Sequence, residues 1–433
     1  MKRYYKKSDN IKGLIPRRVV EFIYKKVIGD RRIVVLAGAR QVGKTSIMYL
    51  VMDKLMKQMG EKRVFYLDLE ALDLLDIINR GVDEFISYLI ANGADLKERC
   101  FVFIDEIQYM ENPSNFLKLI VDHHPEIKLI VSGSSSFSIK SKFKDSLAGR
   151  KIIFNIHHLD FGEFLKFKGR DKLRDYYDRC DWKRGRFFQD ELIRHFSEYA
   201  IFGGLPKIAL MSEKIDKTEY LQDVVNSYIM KDIKDLFRVD NPFAFKRLLK
   251  LLASLSSHLL NFSDLSSICG ISRQTLERYL FILESTYVIR LIKPFYKNRK
   301  KEITKMPKVY FMDTGIRNLI MGNLNNLEVR GDTGDLVENS AFNMITDHLN
   351  LLDNINYWRT KAGAEMDFVI KGEKLKAYEV KFRTFSQPKI SRSIRSFVNE
   401  YSPDKLYIGT RDFYCQMKIE KSDILFLPMF FVK

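Results

Sequence analysis

The sequence predicts an α/β protein in successive domains, and three observations carry that prediction. Residues 31–156 alternate short apolar runs with longer amphipathic ones. A glycine-bounded turn, Gly38-Ala39-Arg40-Gln41-Val42-Gly43-Lys44-Thr45, joins the first apolar run to the first amphipathic segment. Past Lys305 a second mixture of helical and strand-like stretches begins. Short apolar runs alternating with helical periodicity are the pattern of strands buried under helices in a mostly parallel sheet.

Taken in order, the runs 33–37, 64–67, 101–104, 129–131 and 152–156 read as buried strands. Between the first two, Ile47, Met48, Leu50, Val51 and Leu55 recur at helical spacing, with Gly60 as the stop. This gives an α/β domain over 12–165. From 166 to 260 apolar residues recur at three- and four-residue steps, broken at Gly203-Gly204-Leu205-Pro206, which predicts a helical region. Ser263 to Glu284 then predicts a helix, a tight Gly270-Ile271-Ser272 turn and a second helix from about Arg273, followed by extended Tyr287-Val288-Ile289-Arg290-Leu291-Ile292. That is a winged helix-turn-helix pattern, placed at 261–304. Residues 305–433 predict a last α/β domain, with a helix near 335–349 and strands in 357–382 and 405–408.

Composition narrows the function classes. With 73 Lys+Arg against 55 Asp+Glu, the chain of 433 residues carries a formal charge of +18, which favours polyanionic partners. Its 46% hydrophobic residues suffice for packed cores, so wholesale disorder is excluded. Cys100, Cys180, Cys269 and Cys415 lie far apart without CxxC or Cys/His spacing, which speaks against a disulfide framework or a zinc site. No apolar run approaches the ~20 residues of a spanning helix, and no apolar core follows the basic first residues, so a soluble cytoplasmic protein without membrane insertion is expected.

The turn from Gly38 to Thr45 matches G-x-x-x-x-G-K-[ST] and has both contexts the chemistry needs, a strand before it and a helix after it. Glycines let the backbone bend around phosphates, and free N–H groups of the loop and of the helix start at Ser46 bind the anion. Lys44 neutralises the terminal phosphates, and Thr45 offers its hydroxyl to Mg²⁺. Phe101-Val102-Phe103-Ile104-Asp105-Glu106 is an apolar strand ending in two acids. Asp105 is placed to support Mg²⁺, and Glu106 to polarise an attacking water, which points to ATP hydrolysis. Ser134, in Ser132-Gly133-Ser134-Ser135-Ser136, is a candidate for the γ-phosphate or the water; serines there serve equally as helix N-caps. Arg150 is a candidate sensor of γ-phosphate charge, in its own chain or a neighbouring copy, or an ordinary surface arginine.

These motifs carry a resemblance. The loop with its Arg40-Gln41 pair, Ile104-Asp105-Glu106-Ile107-Gln108, Gly133-Ser134-Ser135, and Leu147-Ala148-Gly149-Arg150 followed by Leu159-Asp160-Phe161-Gly162-Glu163-Phe164 resemble the prokaryotic AAA-type ATPases of the AAA_14 family. The resemblance implies a P-loop sheet with strand order 5-1-4-3-2 and, as usual companion, a C-terminal DUF4143 domain, whose start Tyr228-Ile229-Met230-Lys231-Asp232-Ile233 resembles. Family-level comparison places that domain near restriction-endonuclease-like folds.

The C-terminal residues support the same idea independently. Asp367, then Glu379-Val380-Lys381 beyond the turn Lys371-Gly372-Glu373-Lys374, have the form of a PD-(D/E)xK nuclease core, with Glu338 supplied by an upstream helix. Clustered carboxylates Glu338, Asp367 and Glu379 would hold a second Mg²⁺ or Mn²⁺ at a scissile phosphate, and Lys381 would position water and offset charge. Strand alternation sets Phe368 and Ile370 on a core face and Asp367 on the opposite one, with Glu379 and Lys381 beside it only if the hairpin loop is odd in length or a bulge intervenes. Charged residues on an exposed strand face, or a fold kept as a binding platform, give the same short pattern.

In the helix-turn-helix, Leu276, Leu280 and Leu283 are expected to be buried while Arg273, Gln274, Thr275 and Arg278 face outward, toward DNA phosphates and base edges. Arg290, Lys293, Lys297, Arg299, Lys300, Lys301 and Lys305 continue the positive character. An interdomain spacer with a solvated charged face would look similar. The leading expectation is a Mg²⁺-dependent ATPase coupled to DNA binding or processing. The competing one is an ATP-dependent switch or protein-interaction module whose C-terminal fold is catalytically inactive.

Overall fold

The computed structural model describes residues 11–133, 147–179, 186–232, 239–295, 306–349 and 353–432. The chain divides into two compact units: one runs to His157 and includes Ser285–Tyr287, and the other comprises His158–Glu284 and the chain from Val288 onward.

In the first unit β1 (Ile33–Ala37), β2 (Val64–Asp68), β3 (Cys100–Asp105), β4 (Ile127–Gly133) and β5 (Lys151–Asn155) form one parallel sheet in the order β2-β3-β4-β1-β5. This is the order 5-1-4-3-2 that the resemblance implies. Every residue of β1, β3 and β4 is buried, as strands covered on both faces must be, whereas edge strand β5 is only half-buried. The helix Lys44–Met59 buries Ile47, Met48, Val51, Met52 and Leu55 and stops at Gly60. All five strands point the same way, so the C-terminal ends of β1, β3 and β4 lie along one edge of the sheet, where ligands of open α/β sheets bind.

The second unit joins what the sequence divides into three parts. A ring cluster of Phe161, Phe164, Tyr177, Phe196 and Tyr199 on the helices Phe161–Phe167, Asp171–Arg179 and Arg186–Phe202 receives Phe430 and Phe431 from the chain's end. The helices Phe262–Cys269 and Arg273–Ser285 are joined through Gly270, in the left-handed conformation. They lead into β6 (Ile289–Ile292), which pairs antiparallel with β7 (Lys308–Phe311). The predicted division at residue 305 therefore falls between two hydrogen-bonded strands.

The C-terminal sheet runs β12-β13-β11-β10-β9-β8, from β8 (Asn354–Arg359), β9 (Glu365–Lys371), β10 (Leu375–Val380), β11 (Lys405–Thr410), β12 (Cys415–Ile419) and β13 (Ser422–Pro428). Ile394, Phe397 and Val398 of the helix Arg392–Tyr401 pack with Met366, Val369, Ala377, Leu406 and Ile408 on one face. On the other, Phe342 of the helix Thr333–Thr346 packs near Phe368 and stacks on Tyr310.

Candidate functional site

The phosphate-binding turn is built by close approach as much as by flexibility. A Cβ on Gly38 would lie 2.2 Å from the carbonyl oxygen of Ile156, so only glycine fits. The left-handed positions of the loop are Gln41 (φ 66°) and Gly43 (φ 89°). Ala39 and Val42 are buried beneath it, and Arg17 reaches the carbonyl oxygens of Val42 (3.1 Å) and His157 (2.8 Å), tying the loop to the end of β5. The helix beginning at Lys44 has no acidic residue in its first turn, so Lys44, Thr45 and Ser46 start a helix whose positive end meets no competing carboxylate of its own.

Lys44 is buried and donates to the carbonyl oxygens of Gly38 (3.0 Å) and Ala39 (2.8 Å), which hold its ammonium over the loop. Burial pushes Lys44 below its usual value, against the opposing pull of Glu106 and Asp105. Arg40 reaches the hydroxyl of Tyr109 at 3.3 Å.

Asp105 is the best-anchored group of the site. Its Oδ2 accepts from the Thr45 hydroxyl (2.6 Å) and the Tyr66 hydroxyl (2.9 Å), and its Oδ1 from the Ser132 hydroxyl and the Glu106 N–H (3.2 Å). Glu106 is in the left-handed region (φ 55°), which turns the chain out of β3, and Gln108 donates to its carboxylate. A joined threonine hydroxyl and carboxylate fit a Mg²⁺ ion bound with the nucleotide, with Thr45 and Asp105 as its holders. Such an ion would supply charge neutralisation at the β- and γ-phosphates.

Sequence reasoning missed Tyr66, Ser132 and Gln108. Ser132 had a usable signal, a polar residue closing an apolar strand, and register places it beside Asp105, since Ile104 pairs with Val131. Ser134 lies outside the described residues. Arg150 precedes β5, whose first residue pairs with Ile33 at the start of β1, so it stands at the opposite sheet edge from its own loop and pairs with Asp122 (2.7 Å).

Burial and the charge of Asp105 keep the Tyr66 phenol protonated and donating. Tyr66→Phe should therefore loosen Asp105: the Mg²⁺ concentration for half-maximal turnover should rise roughly tenfold, the worth of one hydrogen bond to a charged group, with little change in ATP affinity. A Mg²⁺ titration of ATP turnover measures it, and an unchanged Mg²⁺ midpoint would reject this positioning role.

In the C-terminal domain the hairpin loop is three residues long, because Lys371 pairs with Leu375, and the register continues to put Asp367 across from Glu379. A bulge intervenes as well. Asn356 pairs with Val369 but Trp358 with Met366, leaving Asp367 and Phe368 opposite Tyr357 alone. Simple alternation, which set Asp367 and Phe368 on opposite faces, is thereby corrected: Met366 and Val369 both join the core under helix Arg392–Tyr401. Phe368 meets Tyr310 and Phe342, and Asp367 comes under the charge of Lys308.

The structure gathers Glu338, Asp367, Glu379 and Lys381, and adds Lys308, Tyr310 and Glu365. Asp367 accepts from the Val380 N–H (2.6 Å), and Lys381 pairs with Glu379 (2.8 Å). Lys308, almost wholly buried, bridges Glu338 (3.2 Å) and Glu365 (2.5 Å), and Tyr310 donates to Glu338 (2.7 Å). Burial, then the charge of Asp367, pushes Glu338 and Glu379 up to about 8, and burial raises Asp367 too. Against burial, Glu338, Asp367 and Glu365 hold Lys308 above its ordinary value. Among the described residues no three carboxylates, imidazoles or thiols converge as a metal site.

On the helix Arg273–Ser285, Leu276, Leu280 and Leu283 are buried as expected, joined by Tyr279. Arg273 pairs with Glu277 (2.9 Å) and Arg278 with Asp240 (2.7 Å), both largely exposed. Lys297, Arg299, Lys300, Lys301 and Lys305 lie outside the described residues. No helix among the described residues is long and apolar enough to cross a membrane.

A five-stranded parallel sheet in this order, with a Gly-Lys-Thr loop after its first strand and Asp105 bound to the loop threonine, defines a P-loop nucleotide hydrolase. Residues 30–165 match the AAA domain family AAA_14, and residues 333–429 match DUF4143, a domain of unknown function. The chain accordingly combines an AAA-type ATPase domain of the AAA_14 family with a C-terminal DUF4143 domain. Residues 193–327 match another domain of unknown function, DUF8612, so Tyr228 to Ile233 do not begin DUF4143 as expected. The chain is 25% identical over 378 residues to an uncharacterised protein of Methanocaldococcus jannaschii, covering 86% of this chain and 79% of that one. It is 24% identical over 387 residues to one of Mycobacterium tuberculosis, covering 88% and 77%. A Walker-type ATPase of Pyrococcus abyssi aligns with a TM-score of 0.46 and 13% identity, over 71% of this chain and 96% of that one.

Proposed function

We propose that this ATPase couples Mg²⁺-dependent ATP hydrolysis to the engagement of DNA, through a winged helix formed by the helices Phe262–Cys269 and Arg273–Ser285 and the β6–β7 pair. The observation that carries this reading is the helix Arg273–Ser285: Leu276, Tyr279, Leu280 and Leu283 are buried while Arg273, Gln274, Arg278 and Phe281 are exposed. Both arginines make surface ion pairs, worth about 0–1 kcal/mol each, which phosphates can replace, and Arg273 also lies over the Phe262 ring. The formal charge of +18 supplies the long-range attraction. Residues 12–165 act as the ATPase domain, 166–260 as a helical region, 261–304 as the winged helix, completed by β7 from beyond residue 305, and the rest of 305–433 as a nuclease-like α/β domain. Glu106 polarises the attacking water, and Arg150 reads the γ-phosphate of a neighbouring copy.

The test is DNA binding against salt. Affinity should fall steeply as salt rises, and removing the charges of Arg273 and Arg278 should weaken binding across sequences and lower the salt slope by about 1 per lost phosphate contact. Salt-independent binding, or none, would overturn the reading. The second reading, an ATP-driven switch or protein-interaction module with an inactive nuclease-like fold, draws on the ion-paired state of Glu338 and Glu365. It expects ATP turnover without DNA cleavage in Mg²⁺ or Mn²⁺, and cleavage lost in Asp367→Ala would reject it.

A further inference from the structure

We infer that the resident cation of the C-terminal carboxylate cluster is the ammonium of Lys308, and that this side chain closes the cluster to a divalent metal. Four carboxylates, Glu338, Glu365, Asp367 and Glu379, gather where β7, β9, β10 and the helix Thr333–Thr346 meet. A metal would need several of their oxygens at once. Lys308 bonds Glu338 at 3.2 Å and Glu365 at 2.5 Å from a side chain that is 4% exposed, and Tyr310 adds a second donor to the same oxygen of Glu338. Lys381 takes Oε1 of Glu379, and the Val380 N–H takes Oδ2 of Asp367. Each carboxylate thus gives one oxygen to a fixed donor, and among the described residues the cluster does not converge as a metal site. Glu338 Oε2, Asp367 Oδ1 and Glu379 Oε2 accept no hydrogen bond, and what keeps a divalent ion from them is the Lys308 ammonium already bonded to Glu338 and Glu365.

The placement of Lys308 has a second consequence. It is the first residue of β7, the strand paired with β6, so the element that closes the winged-helix pattern also carries the ammonium into the nuclease-like domain. Removing that ammonium leaves at least three buried carboxylates without enough positive charge, which is the composition a divalent ion binds.

The inference does not depend on DNA binding, and it is tested without it, by titrating Mn²⁺ alone into the nucleotide-free full chain and counting bound ions by electron paramagnetic resonance. Comparing each protein with its Asp367→Asn partner cancels any Mn²⁺ held at Thr45 and Asp105. The wild-type chain and Asp367→Asn should bind the same number of ions. Lys308→Met should gain one Mn²⁺ per chain, lost again in Lys308→Met with Asp367→Asn, and its melting temperature should rise on adding Mn²⁺. Lys308→Arg should behave as the wild type. A wild-type Mn²⁺ site abolished by Asp367→Asn would overturn the inference, and so would a folded Lys308→Met that gains no ion. Should Lys308→Met fail to fold, the wild-type comparison alone still decides.

Discussion

Glu106→Gln should retain ATP and lose its turnover by a factor on the order of 10²–10⁴, the usual worth of a positioned general base, whereas Lys44→Ala should lose tight nucleotide binding itself. The difference follows from where the two side chains sit. Lys44 is buried over the loop, 2.8–3.0 Å from two of its carbonyl oxygens, so its charge belongs to the phosphate cradle. Alanine there removes the ammonium and leaves those carbonyl oxygens facing the phosphates. Glu106 instead stands one residue beyond β3, turned out of the strand by its left-handed backbone and oriented by Gln108. Glutamine keeps its size and a hydrogen bond but is not a base. Asp105 keeps both its Thr45 and Ser132 contacts in that variant, so the metal-holding geometry stays. Equilibrium binding of a fluorescent ATP analogue, together with phosphate release, separates the two effects. Equal loss of binding and turnover in both variants would reject this division of roles.

The nucleotide site was legible because its chemistry is local in sequence. Gly38 to Thr45 form one turn, and Asp105-Glu106 close one apolar strand, so each motif carries its own strand-end context. What could not be read were partners brought in by sheet register. Tyr66 and Ser132 reach Asp105 only because β2 and β4 flank β3; Ser132 at least closes an apolar strand with a hydroxyl, but nothing at Tyr66 announces that neighbour. Arg150 shows the reverse limit: a short sequence distance from β5 says nothing about which end of that strand it occupies, so the sequence leaves open both a role within its chain and one between chains. In the C-terminal domain the requirement of an odd loop was correct, but alternation could not anticipate the bulge at Asp367 and Phe368, which depends on β8 across the ladder. Lys308 was invisible for a similar reason. It reads as one more lysine of a basic stretch, and its burial is decided by carboxylates 30 and 57 residues later.

Gly315→Ala should be a severely damaging small substitution in the second unit. The helix Thr314–Met321 docks backbone to backbone on the end of helix Arg186–Phe202, and a Cβ on Gly315 would lie 2.1 Å from the carbonyl oxygen of Phe202 and 2.4 Å from its carbon. Neither atom belongs to a flexible side chain, so the helix must shift. Its position is fixed by several polar contacts. Asp313 accepts from the Gly204 N–H and the Ile316 N–H, both at 2.9 Å, and Asn318 donates to the last carbonyls of the facing helix, Ala200 (3.1 Å) and Ile201 (2.8 Å). Those carbonyls have no partner within their own helix, so a shift that breaks the contacts leaves buried acceptors unsatisfied. Gly203 is equally constrained, at φ +80° with the Asp313 carboxylate 2.2 Å from where its Cβ would stand. The expected cost for Gly315→Ala is therefore at or above the ~1–3 kcal/mol of an overpacked core. Gly331→Ala is the control, since a Cβ there meets nothing within 4 Å, and its cost should stay within about 0.5 kcal/mol. Urea unfolding followed by circular dichroism compares the two midpoints. A Gly315→Ala midpoint matching that of Gly331→Ala would mean that the two helices are not held as rigidly as their hydrogen bonds require.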